Sequence, residues 1–169
     1  MMKYCPKCAT PLEDKQIEGV NRRLCPGANC HYIYWNNPIP VVAALVCHEG
    51  EVILARNVRW PKSIYSSISG YLEANETPDA AMAREVKEEL GLDSQALHLL
   101  GHYPFKEKNQ LLIGYVVSAS GTVHLNHELA DIKRLSIAQL RDYDFHPLYI
   151  TAAMVADWFA SPTVMIPHN

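Results

Sequence analysis

A helix that begins after Thr77 and ends before Gly91 constrains this chain more than any other segment of its sequence. Thr77 is a favourable N-cap, and Pro78 suits the first helical position because its fixed φ matches the helix. Gly91 stands where the residue after a helix commonly takes positive φ. Apolar residues recur every four positions from Met82 to Leu90, so we expect one stripe of this helix to face a core.

Three glutamates on this helix indicate a site for a hard cation. Glu85, Glu88 and Glu89 fall within little more than one turn, and residues three and four positions apart are neighbours on a helix. Carboxylates this close repel one another unless something neutralises them, and carboxylate oxygens are ligands that Mg²⁺ and Mn²⁺ prefer. A solvated run of charges is the alternative. A fourth glutamate, Glu76, and Arg84 favour the metal site.

Composition is typical of one folded domain with a small attachment. The chain has 169 residues, and 49% of them are hydrophobic, which is enough for a core. No apolar run approaches the roughly 20 residues needed to cross a bilayer, and no signal peptide is visible. We therefore expect a cytoplasmic protein with no membrane partner. A net charge of −3 argues against broad nucleic-acid binding without excluding it.

Two cysteine pairs predict a small zinc ribbon over residues 1–34. Two residues separate Cys5 from Cys8, and four residues separate Cys25 from Cys30. Four thiolates complete the tetrahedral coordination of Zn²⁺, so this metal is expected to be structural rather than catalytic. Two disulfides or a redox dithiol are the alternatives. We favour zinc, because the spacers suit a tetrahedral site and a cytoplasmic context disfavours disulfides.

The remainder, residues 35–169, alternates short apolar strands with helices. Strands are predicted at 41–47, 51–55, 64–69, 96–103, 111–118, 122–125 and 132–135. Beyond the first helix, a capping box at Ser136 predicts a second, and Pro147 a third that stops before Pro162. Cys47 lies in an apolar run and is expected to be a buried thiol. The pattern favours an α/β fold, a mixed sheet covered by helices on both faces.

Residues 70–92 match the Nudix box without a mismatch, and the chain thereby resembles the Nudix hydrolases. The matching positions are Gly70, Glu76, Arg84, Glu85, Val86, Glu88, Glu89, Gly91 and Leu92. The resemblance implies an α/β/α sandwich with a mixed sheet. It also implies an enzyme that uses Mg²⁺ or Mn²⁺ to cleave the diphosphate linkage of a nucleoside diphosphate derivative.

The resemblance also implies roles for individual residues. Metal ligands are expected from three glutamates of the box helix and two further groups, namely Glu85, Glu88, Glu89, Glu128 and the backbone carbonyl of Gly70. Glu88, Glu89 or Glu128 takes the proton of the attacking water. Arg84 is expected to orient the glutamates rather than to touch substrate. Glu73, in the loop of the box, is expected to coordinate the metal through a water molecule or to bind the ribose of the substrate.

A zinc ribbon placed directly before a Nudix domain resembles the NADH pyrophosphatase group. In that group an aromatic residue after the fourth cysteine holds the adenine, and Trp35, with Tyr34 beside it, stands at the matching place. Packing within the ribbon is the alternative for both rings. A later element of the group, which marks preference for NADH, keeps only Pro104 and Phe105 here, with Tyr103 in place of tryptophan. Tyr103 and Phe105 are the corresponding candidates for substrate binding.

Other functions remain open at this stage. A Nudix-like sensor that binds a nucleotide without hydrolysis is one, and removal of nucleotide caps from RNA is another. Homodimer formation is expected from the resemblance alone. The residues do not name the substrate, because NADH, NAD, ADP-ribose and capped RNA all present the same diphosphate.

Overall fold

The computed structural model describes residues 2–161. The chain divides into two compact units, of which the first ends at Pro38 and the second begins at Ile39. This division lies a few residues beyond the boundary expected at residue 34, because the segment that follows the last ribbon strand groups with the ribbon. The predicted helix stop at Pro162 lies outside the described residues.

The first unit is a three-stranded antiparallel sheet. Its strands are β1 (Glu13–Ile17), β2 (Val20–Leu24) and β3 (Ile33–Tyr34), in that spatial order. Glu18 and Gly19 join the first two strands with φ values of 51° and 79°, as a tight hairpin turn requires. One cysteine pair precedes this hairpin and the other follows it, which is the arrangement expected for a zinc ribbon.

Over its described residues, 39–161, the second unit contains a six-stranded sheet and three helices. The strands are β4 (Ile39–His48), β5 (Glu51–Asn57), β6 (Ile68–Tyr71), β7 (Asp93–Phe105), β8 (Gln110–Ser120) and β9 (Leu129–Leu135). The helices are α1 (Pro78–Leu90), α2 (Ile137–Arg141) and α3 (Tyr149–Ala160), with a 3₁₀ turn at Lys106–Lys108. The strand order is β7-β8-β4-β5-β9, and β6 pairs with β4. The sheet is mixed, because β4 and β8 run parallel while the other pairs are antiparallel.

Strand β4 shows why helices cover both faces of this sheet. Its side chains alternate between the faces, and both sets are buried. Val42, Ala44 and Val46 belong to the core beneath α1. Val41, Ala43, Leu45 and Cys47 belong to the core beneath α2 and α3. The α/β/α sandwich expected from the sequence is confirmed.

Three predicted elements differ from the observed ones. The strand expected over 64–69 is reduced to β6, and before it Ser66 makes only an isolated bridge with Ala55. The strand expected over 122–125 is absent from the described chain, because this segment bonds to the end of α1 instead. The amide of His124 donates to the carbonyl of Leu90 at 2.8 Å. The last helix begins at Tyr149 rather than at Pro147, since Leu148 takes the non-helical cap conformation.

None of the helices within residues 2–161 combines the length and the apolar character needed to cross a membrane.

Candidate active site and metal centre

Helix α1 carries three of the acidic residues, and both of its ends are capped. The side-chain oxygen of Thr77 accepts a hydrogen bond from the amide of Ala80 at 3.3 Å. At the other end, Gly91 takes a φ of 73° and its amide donates to the carbonyl of Lys87. The apolar stripe of the helix packs on the sheet, so the adjoining face carries the glutamates toward β6.

Gly70 on β6 leaves the space that the carboxylate of Glu85 occupies. A Cβ atom added to Gly70 would lie inside the van der Waals radii of the carboxylate carbon and both oxygens of Glu85. The backbone conformation at Gly70 is one that other residues adopt, so the requirement for glycine here is one of space. This close approach places a strand backbone and a helix carboxylate in direct contact.

The guanidinium of Arg84 donates hydrogen bonds to five oxygen atoms of four residues. Its Nε and Nη2 donate to the two carboxylate oxygens of Glu76, at 2.9 and 3.0 Å. Its Nη1 donates to Oε1 of Glu85 at 2.7 Å and to Oε2 of Glu88 at 3.1 Å. Nη2 also donates to the carbonyl of Tyr71 at 3.0 Å. Each of Glu85 and Glu88 thus commits one oxygen to Arg84 and keeps the other oxygen available.

The electrostatic environment shifts the pKa values of these carboxyl groups in different directions. Hydrogen bonds from Arg84 hold the pKa of Glu76 below its ordinary value. Burial raises the pKa of Glu85, because desolvation outweighs its hydrogen bond with Arg84. Burial, followed by repulsion from the neighbouring carboxylates, raises the pKa of Glu89 to about 8.

Glu89 is a buried carboxylate without a counter-charge. It is 8% exposed, and within residues 2–161 its side chain has no basic group or hydrogen-bond donor as a partner. An uncompensated charge in such a place is costly, and a bound cation would remove that cost. The donor set around it consists of oxygen atoms, which fits Mg²⁺ or Mn²⁺.

The acidic residues converge on one cleft of about 310 Å³. It is lined by Ser69, Gly70, Tyr71, Glu73, Arg84, Glu85, Glu88, Glu89 and Glu128. Glu128 comes from the loop before β9. There its amide donates to Oδ1 of Asn126 at 2.9 Å, and its carbonyl accepts from the amide of Val58 at 2.8 Å. The structure therefore brings Glu73, Gly70, Arg84 and all four candidate acidic ligands to one place.

An apolar pocket of about 520 Å³ adjoins this acidic cleft. Ser69, Gly70 and Tyr71 line both spaces, so β6 is their common wall. Phe105, a predicted substrate-binding residue, lines the pocket, but Tyr103 does not. Tyr103 is 8% exposed, and its hydroxyl donates to Asp157 on α3 at 2.8 Å.

Sequence reasoning missed Trp60, which lines the apolar pocket and also a smaller cavity of about 90 Å³ beside Glu89 and Glu128. The available signal was a tryptophan followed by proline in the loop between β5 and β6. That signal does not reveal the neighbours that make a pocket, because those come from distant segments.

Trp35 and Tyr34 lie in the ribbon unit. The guanidinium of Arg22 stacks 4.5 Å from the centroid of the Trp35 ring and donates to the Trp35 carbonyl at 3.1 Å. Trp35 is 45% exposed, and the hydroxyl of Tyr34 donates to Oδ1 of Asn36 at 2.8 Å. Both rings line a cavity of about 240 Å³ on this unit.

The four predicted zinc ligands form a compact thiol cluster. Their sulfur atoms all lie within 4.8 Å of one another, with 3.6 Å between Cys5 and Cys30 and 3.4 Å between Cys8 and Cys25. A tetrahedral site with Zn–S bonds of about 2.3 Å places its sulfur atoms roughly 3.8 Å apart. All five cysteines are free thiols. The cluster therefore fits structural zinc and not a pair of disulfides.

Within residues 2–161, this thiol cluster alone brings three or more potential ligand atoms so close together. The carboxylates of the acidic cleft surround a wider space, since two of them are drawn toward Arg84. The fifth thiol, Cys47, is buried in the core of the second unit, and burial raises its pKa to about 12.

Comparison with known proteins identifies the family, because the NUDIX domain matches residues 37–159. This chain belongs to the NUDIX family. The match includes the whole of the acidic cleft and β4 to α3 almost to its end.

Several curated relatives of this NUDIX chain carry names that refer to NAD. It is 26% identical over 143 residues to the NAD-capped RNA hydrolase NudC of Vibrio atlanticus, with 83% of this chain and 52% of that protein covered. It is 27% identical over 133 residues to the mitochondrial NAD(P)H pyrophosphatase NUDT13 of Mus musculus, covering 78% of this chain and 37% of that protein. The chain spans about half or less of the length of these relatives.

Solved NUDIX structures share the fold. A NUDIX hydrolase from Nitrosomonas europaea superposes with a TM-score of 0.77 at 21% identity, covering 95% of this chain and 92% of the other. The NUDIX domain of Shewanella oneidensis NrtR, solved with ADP ribose, superposes with a TM-score of 0.60 at 10% identity, covering 73% of this chain and 87% of the other. At these identities the likeness concerns the fold alone.

Proposed function

We propose that this NUDIX chain is a metal-dependent hydrolase that cleaves the diphosphate linkage of a nucleoside diphosphate derivative. Water adds to one phosphorus atom, the bridging P–O bond breaks, and two monophosphate products leave. Glu89 carries the proposal, because its buried carboxylate has no counter-charge among the described residues and shares one cleft with four further glutamates.

The side chains of Glu85, Glu88, Glu89 and Glu128, with the carbonyl of Gly70, would hold Mg²⁺ or Mn²⁺. The ion supplies charge neutralisation at phosphate oxygens and Lewis-acid activation of water when it is bound. Arg84 fixes one oxygen of Glu85 and one of Glu88, which leaves the opposite oxygen of each carboxylate available to the ion. Arg84 is therefore a positioning residue rather than a substrate ligand.

A carboxylate of the same cleft accepts the proton of the attacking water. Glu89, Glu88 and Glu128 are the candidates, and Glu89 is the most buried of them. A carboxyl group that burial makes more basic is better suited to accept a proton near neutral pH than an exposed one.

The test is the variant Glu89→Gln, which keeps the shape of the side chain and removes its charge. We expect turnover with Mg²⁺ to fall about 10²–10⁴-fold, the range for loss of a general base or ligand. Thermal unfolding without metal should not shift downward, because the variant removes a carboxyl group whose ionised form burial disfavours. Glu51→Gln is the control, because Glu51 is a partly exposed glutamate on β5 that lines none of these clefts. Normal turnover in Glu89→Gln would remove Glu89 from the mechanism.

The substrate is best sought among compounds that contain NAD-like diphosphates. The names of the relatives favour both free dinucleotides and NAD-capped RNA. A panel of NADH, NAD, ADP-ribose and NAD-capped RNA, scored by mass spectrometry of the products, distinguishes these substrates. A chain that binds one of them in the presence of Mg²⁺ or Mn²⁺ but releases no product would instead be a nucleotide sensor.

Three further expectations complete this proposal. The thiol cluster binds one structural zinc ion per chain, which its sulfur spacing supports. The location is the cytoplasm, with which five free thiols agree. Homodimer formation is expected from the resemblance alone, and light scattering measures it directly.

A further inference from the structure

We infer that the apolar pocket beside the acidic cleft binds a flat nitrogen heterocycle of the substrate, stacked on Trp60. This inference rests on the proposed function, since it assigns the pocket to the group attached to the diphosphate. Trp60 then acts as a specificity-determining residue that the NUDIX match does not assign.

The position of the pocket supports this assignment. Strand β6 forms a wall of both the pocket and the acidic cleft through Ser69, Gly70 and Tyr71. A ligand whose phosphates lie among the glutamates therefore meets the pocket within the width of one strand. The volume of about 520 Å³ falls in the range of small-molecule sites and accommodates a nucleoside-sized group.

Trp60 connects the two spaces. It lines the apolar pocket and also the small cavity that contains Glu89 and Glu128. Its ring is 38% exposed, although tryptophan is one of the side chains that gain most from being covered. Turn hydrogen bonds hold its loop, one from the amide of Trp60 to the carbonyl of Asn57 at 2.9 Å and one from Ile64 to Pro61 at 3.1 Å.

The chemistry of the walls suits a flat ring. Tyr71 and Phe105 are the other aromatic residues of the pocket, and most of the remaining walls are aliphatic or proline side chains. Lys108 is the one ionic group among the described lining residues, and its ammonium lies 5.5 Å from the centroid of the Phe105 ring. Gln110 is held at the wall by donating to the hydroxyl of Tyr71 at 2.9 Å. Such walls suit ring stacking, with a few polar contacts for the ring edge.

Calorimetric titration with three monophosphates tests this inference. AMP carries adenine, nicotinamide mononucleotide carries nicotinamide, and ribose 5-phosphate carries no ring system of this kind. None contains a diphosphate bond, so their affinities report on the pocket whether or not the chain is a hydrolase. With Mg²⁺ present, we expect at least one of the two nucleotides to bind about tenfold or more tightly than ribose 5-phosphate. The preferred nucleotide identifies which ring the pocket takes.

Trp60→Ala should remove that preference, which corresponds to loss of one stacked base. Trp60→Phe should retain most of that preference, because the variant keeps a flat ring. Comparing the two variants separates loss of the ring from a folding defect. Leu99→Ala is the control, since Leu99 is a 52% exposed apolar residue that lines none of these cavities. Equal affinity for all three monophosphates, or an unchanged preference in Trp60→Ala, would overturn the inference.

Discussion

At the scale of single residues, the acidic cleft depends on the close approach of an α1 side chain to the backbone of β6. Gly70 has no side chain, and the carboxylate of Glu85 occupies the place where one would be. Arg84 then holds that carboxylate together with Glu76 and Glu88 through one guanidinium. The geometry of the cleft is thus set by the missing Cβ atom of Gly70 and by the guanidinium of Arg84.

Gly70→Ala is expected to displace Glu85 and so to lower hydrolytic turnover about 10- to 100-fold. Crowding of this kind also costs about 1–3 kcal/mol of stability, which thermal unfolding measures. Gly101→Ala is the matched control on β7, because a Cβ atom there would meet its nearest neighbour, the Tyr103 hydroxyl, at an ordinary 3.5 Å. Wild-type turnover in Gly70→Ala would show that the position of Glu85 is not required.

The sequence predicted which residues of the box lie together in the acidic cleft better than it predicted which residues line the apolar pocket. Spacing along one helix is enough to bring Glu85, Glu88 and Glu89 together. Tyr103 and Phe105 share a face of β7, but only Phe105 stands at the strand end where the pocket opens. Trp60 becomes a pocket residue only through distant parts of the chain, and no local pattern encodes that.

At the scale of elements, α1 is the helix whose limits local signals specify best. Thr77 and Gly91 act as the caps that their sequence positions predicted. The loop after β8 was less predictable, since its apolar residues resemble a strand. Its amides instead bond to the end of α1, from His124 to Leu90 at 2.8 Å and from Asn126 to Glu89 at 3.2 Å. Such long-range caps leave no periodic trace in sequence.

Thr77→Ala is expected to lower the stability of the second unit by about 1 kcal/mol, because the amide of Ala80 loses its acceptor. Thr77→Ser keeps a hydroxyl and should restore most of that loss. Chemical denaturation measures both variants. Turnover well below the unfolding temperature should stay near wild type, since α1 still forms. Equal midpoints for the alanine and serine variants would show that this cap contributes nothing.

At the scale of the whole molecule, two units of different construction share one chain. The second unit has a core on both faces of its sheet. The first unit is a short three-stranded sheet whose described strands contain no buried residue. A segment of this kind gains much of its folding free energy from metal when four thiolates converge. The sequence predicted both constructions, because cysteine spacing and apolar alternation are visible without the fold.

Cys8→Ser is therefore expected to reduce zinc content from one ion per chain to well below one, and to expose the ribbon to proteolysis while the second unit stays folded. Metal analysis and limited proteolysis measure the two effects. Cys47→Ala removes the buried fifth thiol and should leave zinc content unchanged. Retention of one zinc ion per chain in Cys8→Ser would mean that the ligand set is wrong.

The unpartnered carboxylate of Glu89 makes the thermal stability of this chain depend on the ions in solution. A cation that binds beside this buried carboxylate in the folded state raises the free energy of unfolding. The increase grows with the logarithm of the free ion concentration. Ambient magnesium would then govern two properties together, the rate of the reaction and the lifetime of the catalyst.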